Sequence, residues 1–267
     1  QNQVEISEEA FARDYLNHLE EIVQYEGAHT IAAIMLESVT GTNGIIVPPE
    51  GYIKGVREIC NRNNILMIAD EVMSGFGRTG EWFAVNHWDV VPDIMTMAKG
   101  LTSGYAPLGL VAMKPEIAAT FNEKVYEGGL TYNGHPISLA AAIAVIDVMQ
   151  QDKLVEKARE SGEILKGMLQ DLKEKHRSVG DVRSIGLFAA IEVVKNRHTK
   201  EPAAPFGGSS LEMSALHQFL LDNGVYLSTH WNIILLIPPL IITQAQLAEG
   251  MSVIDQALNI TDKAVTN

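Results

Sequence analysis

The chain has 267 residues, of which 46% are hydrophobic and 20% are charged, as is ordinary for a globular protein with one or two domains. Twenty basic and 33 acidic residues give a formal net charge of −13, which argues against nucleic acid or an anionic membrane as a partner. The single cysteine, Cys60, excludes an internal disulfide and predicts a reduced, cytoplasmic setting.

The first half of the chain alternates helical and strand-like segments. Ser7 is a suitable N-cap for an amphipathic helix, which Gly27 is expected to end. Apolar runs predict strands over residues 31–36, 65–69, 93–98 and 108–113, with a helix over residues 52–63 between the first two. Strands that alternate with helices predict an α/β fold, with a mostly parallel sheet and helices on both faces.

The pattern changes after a strongly apolar helix that is predicted over residues 137–149. The remaining predicted elements are helices over 154–176, 211–222 and 244–258, strands over 183–194 and 225–237, and a surface loop over 195–210. We therefore predict two domains, residues 1–152 and residues 153–267, of which the second is a smaller α+β domain.

Two charged side chains follow two neighbouring predicted strands. Asp70 follows Ala69, and Lys99 follows Ala98. In open α/β sheets ligands bind at the carboxyl ends of the strands, so both side chains are expected at the ligand edge. A lysine that forms a Schiff base and a carboxylate that keeps a ring nitrogen protonated are what a pyridoxal phosphate enzyme requires. Taken singly, Asp70 would be interpreted as a helix cap and Lys99 as a solvated lysine of a loop.

The sequence around these two residues resembles the class III (ω-amino acid) aminotransferases, which are fold-type I pyridoxal phosphate enzymes. The segments that carry the resemblance are Asp70-Glu71-Val72, Gly75-Phe76-Gly77-Arg78-Thr79-Gly80, Pro92-Asp93, and Ala98-Lys99-Gly100 through Pro107-Leu108-Gly109. The resemblance covers essentially the whole chain and implies part of a large cofactor-binding domain followed by a small C-terminal domain. Residues 48–88 are most similar to enzymes that use pyruvate and act on taurine, β-alanine or other ω-amines.

The resemblance implies a role for each matching residue. Lys99 would be the Schiff-base lysine and proton carrier, and Asp70 would pair with the ring nitrogen of pyridoxal phosphate. Val72 would pack on one ring face, and Thr131 would reach the cofactor phosphate of a neighbouring subunit. Glu37 matches the family's acidic residue at the strand end over the active site, which can contact the substrate side by pairing with an arginine or can turn away. The implied partners are a small-molecule amino donor, a keto-acid acceptor and further copies of the chain in a homodimer or dimer of dimers. No metal is implied.

Three departures from the family pattern matter. Met73 stands where some relatives carry a glutamine that hydrogen-bonds the cofactor, a bond that methionine cannot donate. Leu235 falls about where enzymes of γ-amino acids carry an arginine, which weakens a γ-aminobutyrate or ornithine interpretation. The family's upstream phosphate loop and ring-stacking aromatic are absent from this sequence. A second hypothesis is therefore a non-catalytic fragment or subunit that requires the missing N-terminal part.

The segment Gly75–Gly80 also fits G-x-G-x-x-G, so a dinucleotide-dependent oxidoreductase is a weaker alternative. The acidic pair Asp70-Glu71 at the strand end would repel a pyrophosphate, and no helix of small residues is predicted after the glycines. The glycines are expected instead to provide the positive φ angles of a turn. The histidines show no metal-ligand spacing.

Overall fold

A computed structural model describes residues 7–266 of the chain. These residues form two compact units. The first unit contains residues 7–39, 48–76 and 81–152, and the second contains residues 40–47, 77–80 and 153–266. Among the described residues, no helix is both long enough and apolar enough to cross a membrane.

The first unit is built on a four-stranded sheet. Its helices are α1 (Glu8–Glu26), α2 (Tyr52–Asn63), α3 (Pro115–Ala119) and α4 (Pro136–Gln151), and its strands are β1 (Ala33–Glu37), β2 (Leu66–Asp70), β3 (Ile94–Met97) and β4 (Leu110–Met113). The strand order is β1-β2-β3-β4, in which β1, β2 and β3 are parallel and β4 is antiparallel to β3. The sheet is therefore mostly parallel, as the sequence predicts.

Local sequence signals account for the ends of the first helices. The Ser7 hydroxyl accepts a hydrogen bond from the Ala10 N–H at 3.2 Å, so Ser7 is the N-cap of α1 as predicted. Gly27 follows α1 with a φ of +81°, which favours glycine. Gly55 lets α1 and α2 approach closely, because a Cβ there would lie 2.3 Å from a methyl carbon of Leu16.

Asp93 connects several elements at the amino end of the parallel strands. Its carboxylate accepts hydrogen bonds from Arg57 Nη1 at 2.6 Å, Lys114 Nζ at 2.8 Å and the Met67 N–H at 2.8 Å. Burial alone would raise the pKa of Asp93, but the hydrogen bonds from Lys114, Met67 and Arg57 outweigh it and lower the pKa to about 2. The ionised carboxylate therefore joins α2, β2 and the end of β4.

The second unit is an α+β arrangement. Its elements are α5 (Leu154–Lys175), β5 (Val179–Ile185), β6 (Phe188–Asn196), β7 (Glu201–Pro202), α6 (Leu211–Asp222), β8 (Ser228–His230), β9 (Ile233–Leu236) and α7 (Gln244–Asp262). The sheet has the order β5-β6-β9-β8, all antiparallel, and β7 pairs with β6. Its three helices supply apolar side chains to one buried core, which includes Leu165, Ile191, Leu216, Ile234 and Leu258.

Arg78 belongs to the second unit and lies in the short segment 77–80. Its Nη1 donates hydrogen bonds to the carbonyls of Leu187 at 2.9 Å and Pro238 at 2.6 Å. Burial lowers the pKa of Arg78 to about 10. The guanidinium thus ties this short segment to two later parts of the chain.

Two predicted strands prove to be hairpins. The run 183–194 was expected as one strand, but β5 and β6 are antiparallel and reverse at Gly186, where φ is +56°. The run 225–237 likewise contains β8 and β9, which reverse at Trp231 with a φ of +41°. The apolar pattern of the sequence did not indicate either chain reversal, because each turn takes only two residues.

The predicted surface loop over residues 195–210 is also wrong in part. Glu201–Pro202 forms β7 against β6, and the following residues Ala203 and Ala204 are buried. Both alanines belong to the buried core of the second unit, but their small side chains lack the apolar bulk that would mark them as core in the sequence.

Candidate active site

Three side chains form a row across one face of the first unit's sheet. Asp70, the last residue of β2, has Glu37 of β1 and Thr96 of β3 as its in-register partners. Paired residues of parallel strands direct their side chains to the same face, and neighbouring strands lie about 4.8 Å apart. Lys99 follows three residues after Thr96 and begins a 3₁₀ helix, Lys99–Leu101. Asp70 and Lys99 therefore lie at the carboxyl ends of adjacent strands.

The carboxylate of Asp70 is half-buried and oriented by the backbone. Its Oδ1 accepts a hydrogen bond from the Val72 N–H at 2.9 Å. This bond orients the carboxylate. Among the described residues, no hydrogen bond to Oδ2 is seen, so this oxygen is available to a ligand. Val72 itself is half-buried directly beyond the strand end.

Lys99 combines an exposed side chain with a fixed backbone. Its φ is +43°, a left-handed conformation that is uncommon for a residue other than glycine. The turn after it is closed by hydrogen bonds from the Leu101 N–H to the Ala98 carbonyl at 2.9 Å and from the Thr102 hydroxyl to the Ala106 carbonyl at 2.6 Å. The direction in which the amine leaves the chain is thus set by a strained turn.

The other two residues with implied roles are exposed. Glu37 ends β1 at the rim of the row. Thr131 lies outside the sheet, in the exposed stretch of residues 121–134 between α3 and α4. The structure therefore brings Glu37 to the sheet edge with Asp70, and places Thr131 on a separate exposed segment.

The chemistry of this edge fits pyridoxal phosphate. Asp70 offers a carboxylate oxygen to a ring N–H, and Lys99 offers an amine to an aldehyde. The Thr96 hydroxyl is buried and has no hydrogen-bond partner within residues 7–266. Since a buried hydroxyl without a partner is costly, its position beside Asp70 suits a ligand that supplies the partner.

Glu71 is a buried carboxylate whose partners sequence reasoning missed. Its Oε1 accepts hydrogen bonds from Ser38 Oγ and the Val85 N–H, both at 2.9 Å. Its Oε2 accepts from Ser74 Oγ at 2.6 Å and from the Ala84 N–H at 3.0 Å. The sequence does show a second acidic residue directly after a buried strand, which could have indicated a buried carboxylate. The residues that bind Glu71 are distant in the sequence and could not be identified from it.

The glycine-rich segment is a turn, as predicted. Gly77 and Gly80 have φ angles of +85° and +84°. Gly75 is needed for a different reason, because a Cβ there would lie 2.7 Å from the Glu71 carbonyl oxygen. The next helical element is the short 3₁₀ helix Ala84–Trp88. The segment thus lacks the α-helix N-terminus on which a dinucleotide pyrophosphate would bind.

Comparisons with known proteins agree on one family. A family model described as aminotransferase class-III matches residues 1–258. The taurine–pyruvate aminotransferase of Bilophila wadsworthia is 37% identical over 253 residues, which cover 92% of this chain and 56% of that protein. The putrescine–pyruvate aminotransferase of Pseudomonas aeruginosa is 37% identical over 249 residues, which cover 92% and 54%. The chain therefore spans little more than half the length of these relatives.

Solved structures show the same likeness. The taurine:2-oxoglutarate aminotransferase of Bifidobacterium kashiwanohense, in complex with PLP and glutamate, superposes with a TM-score of 0.94 and is 42% identical, over 98% of this chain and 59% of that chain. An (S)-enantioselective ω-transaminase from Thermomicrobium roseum gives a TM-score of 0.90 at 37% identity, over 96% and 56%. These likenesses confirm the predicted α/β fold of the fold-type I transferases.

Proposed function

The chain belongs to the class-III aminotransferases, and from this premise we propose that it carries the reactive lysine and the ring-binding carboxylate of an enzyme that moves an amino group from an ω-amino acid or amine to pyruvate. The family uses pyridoxal phosphate as its cofactor. The proposal is carried by the position of Asp70 and Lys99 at the carboxyl ends of adjacent parallel strands.

Each residue of the row has a definite task in such a site. Pyridoxal phosphate, when bound, supplies an aldehyde that joins to an amine and a ring that withdraws electrons. Asp70, held by the Val72 N–H, accepts the ring N–H, and its negative charge keeps that proton in place. Thr96 supplies the neighbouring hydroxyl. Lys99 Nζ would hold the cofactor through its aldehyde carbon and, once released as a free amine, would take a proton from the substrate carbon that bears the amino group.

We propose taurine, β-alanine, putrescine or a similar ω-amine as the donor. Two relatives are named for taurine or putrescine with pyruvate, which supports this class, whereas a solved relative is named for 2-oxoglutarate. Leu235 is buried in β9, so this position presents no cation to a second carboxylate. Glu37 is the proposed contact to the donor.

Further copies of the chain are part of the proposal. Large apolar side chains are exposed on the first unit, among them Val111, Tyr126, Leu130, Ile137 and Ile143. Exposed apolar side chains are stabilised when a partner surface covers them, so we propose a homodimer or a dimer of dimers. Thr131 lies within this exposed stretch, which is consistent with a contact to the cofactor phosphate of a neighbouring subunit. The proposed setting is the cytoplasm.

A second candidate is a non-catalytic fragment or subunit that requires a further N-terminal part. The chain covers only 54–56% of its curated relatives. The side chain of Lys99 is exposed rather than enclosed. Both observations favour a site to which other residues contribute.

Titration with pyridoxal phosphate separates the two candidates. The 267-residue chain should gain the visible absorption band of lysine-bound cofactor in stoichiometric amount. Lys99→Ala should abolish the band, and Lys124→Ala, which changes an exposed lysine, should retain it. Transfer from taurine, β-alanine and putrescine to pyruvate or 2-oxoglutarate then tests the activity. A band that survives Lys99→Ala contradicts the assignment, and a wild-type chain without stoichiometric binding supports the second candidate.

A further inference from the structure

We propose that Glu71 and Phe76 are positioning residues that fix the backbone of Lys99, an inference that rests on the proposed function of this lysine. Neither residue needs to touch the cofactor or the substrate. Glu71 holds the segment that follows β2, and this segment carries Phe76 against the turn that Lys99 begins.

The Glu71 carboxylate is built into its surroundings more completely than a surface cap would be. Each of its two oxygens accepts one backbone N–H and one serine hydroxyl. The donors come from the end of β1, from the turn after β2 and from the 3₁₀ helix Ala84–Trp88. The carboxylate therefore closes a loop of the chain, with one end at Glu71 and the other at Ala84 and Val85.

Phe76 is held at a defined place inside this loop. It is buried, and its φ is +54°. Its N–H donates to the Trp82 carbonyl at 2.7 Å, and its ring lies edge-on to the ring of Phe83 with 5.5 Å between the centroids. Gly75, just before it, packs on the Glu71 carbonyl oxygen at a distance that leaves no room for a Cβ.

Phe76 in turn meets the lysine turn directly. A Cβ at Gly100 would lie 2.8 Å from the Phe76 Cβ, which is closer than side chains tolerate. Gly100 follows Lys99, whose φ of +43° requires support from its surroundings. The contact between Phe76 and Gly100 therefore fixes how far the turn can move toward the loop that Glu71 closes.

Two substitutions disturb this arrangement from opposite ends. Glu71→Gln keeps the side-chain volume, but its NH₂ group replaces an oxygen that accepts a backbone N–H, so either Ala84 or Val85 loses its acceptor. Gly100→Ala inserts a methyl group against Phe76 and leaves Glu71 intact. The matched controls are Glu58→Gln, on the exposed face of α2, and Gly109→Ala, whose Cβ would meet only the Met97 carbonyl oxygen at 4.0 Å.

Amide hydrogen exchange of the full chain without cofactor is the first measurement. The amides of Leu101, Thr102 and Ser103 close the turn, and we expect them to exchange about tenfold faster in both test variants and unchanged in both controls. Since Gly100→Ala leaves the Glu71 hydrogen bonds in place, it keeps the inference testable if Glu71→Gln folds poorly. Equal acceleration throughout the first unit, or no acceleration in the turn, would overturn the inference.

The rate at which added pyridoxal phosphate attaches to Lys99 is the second measurement, followed by its visible band. We expect attachment about tenfold slower in both test variants, because a displaced lysine loses its approach geometry. A purely structural role would lower thermal stability and leave this rate unchanged, which contradicts the inference. If the wild-type chain shows no attachment, the proposed function fails, and the exchange data still decide whether Glu71 and Phe76 hold the turn.

Discussion

The carboxylates of Asp70 and Asp93 lie at opposite ends of two adjacent parallel strands, since Asp70 ends β2 and Asp93 precedes β3, and they have different roles. Asp93 accepts hydrogen bonds from two cations and a backbone N–H, whereas Asp70 accepts one, from a backbone N–H, among the described residues. A carboxylate whose two oxygens both accept hydrogen bonds from the protein stabilises the sheet, and one with an oxygen left over can bind a ligand. The sequence places both residues next to strands but does not show which carboxylate has both oxygens hydrogen-bonded within the protein.

Asp93→Asn should destabilise the first unit by about 3 kcal/mol, because the half-buried Arg57 guanidinium loses its charged partner. Urea unfolding followed by tryptophan fluorescence measures the change. Asp89→Asn is the control, since Asp89 is exposed and its left-handed φ of +53° suits asparagine equally. The control should stay within about 0.5 kcal/mol of wild type. A similar loss in both variants would show that the ion pair is not the cause.

The lowered pKa of Asp93 predicts a pH dependence in the acid range. The folded-state pKa of about 2 lies below the ordinary value of 3.8, so the unfolded chain takes up the proton first as pH falls. The stabilisation is complete above about pH 4 and is lost as pH falls through 2, by roughly 2 kcal/mol in total. The free energy of unfolding of wild type should therefore approach that of Asp93→Asn at low pH. A constant difference from pH 5 to 2 would contradict this.

Among the elements, the helices were the most predictable. The predicted ranges 52–63 and 211–222 coincide with α2 and α6, because in each the buried apolar residues recur at helical spacing and the helix has a clear end. The hairpins β5–β6 and β8–β9 were merged into single strands, since their turns interrupt the apolar pattern too briefly. The partners of Glu71 could not be predicted either, because Ser38 and Ala84 reach it only through the fold.

Helix α5 offers a matched pair of glycines. A Cβ at Gly162 would lie 2.5 Å from the Gly186 Cα, whereas a Cβ at Gly167 would meet nothing within 4 Å. Gly162→Ala should destabilise the second unit by about 1–3 kcal/mol through overpacking. Gly167→Ala should stabilise it by about 0.5–1 kcal/mol, the difference in helix propensity. Chemical denaturation of both variants measures the two signs, and equal effects would contradict the close approach of α5 to Gly186.

The end of α5 is joined to α7 by a buried histidine. His176 lies between Asp262, 2.7 Å from its Nδ1, and Asp255, 2.9 Å from its Nε2. Burial raises the pKa of Asp262, but hydrogen bonds from the Ser178 N–H, from His176 and from the Ser178 hydroxyl outweigh burial, so the pKa lies below the ordinary value. The contribution of Asp262 to the free energy of unfolding is therefore present at neutral pH and is lost in acid.

Asp262→Asn should weaken this junction, with faster amide exchange in the last turn of α7 and a loss of about 1–3 kcal/mol at neutral pH. Asp171→Asn, an exposed position on α5, is the control and should change neither quantity. If both variants exchange alike in the last turn of α7, the carboxylate is not what holds the two helices.

For the whole molecule, sequence resemblance predicted the family and the fold, and the comparisons confirm both. The roles of Asp70, Val72, Lys99, Thr131 and Glu37 stay predictions, as does the domain boundary at residue 152. The amino donor could not be derived, because it depends on the shape of a pocket, and the chain matches only part of each relative.

The exposed apolar surface of the first unit predicts self-association. Sedimentation of the isolated chain should give a mass that rises with concentration above the 29.2 kDa of one copy. Ile137→Glu, on an exposed apolar position of α4, should shift the protein toward a single copy, whereas Leu211→Glu, which is even more exposed on α6, should not. A constant mass of one copy for wild type contradicts the proposed homodimer.

The two units share one chain in an interleaved way. The backbone passes between them at 39/40, 47/48, 76/77, 80/81 and 152/153. Gly186 packs against the backbone of Thr79, which lies more than a hundred residues earlier in the sequence. A Cβ at Gly186 would lie 2.3 Å from the Thr79 carbonyl carbon. A chimera of two relatives spliced once at 152 would thus inherit Arg78 from one parent and its acceptors Leu187 and Pro238 from the other. Because both acceptors are backbone carbonyls, which every residue has, such a junction should be tolerated where the second parent keeps glycine at position 186 and the same backbone path past Arg78.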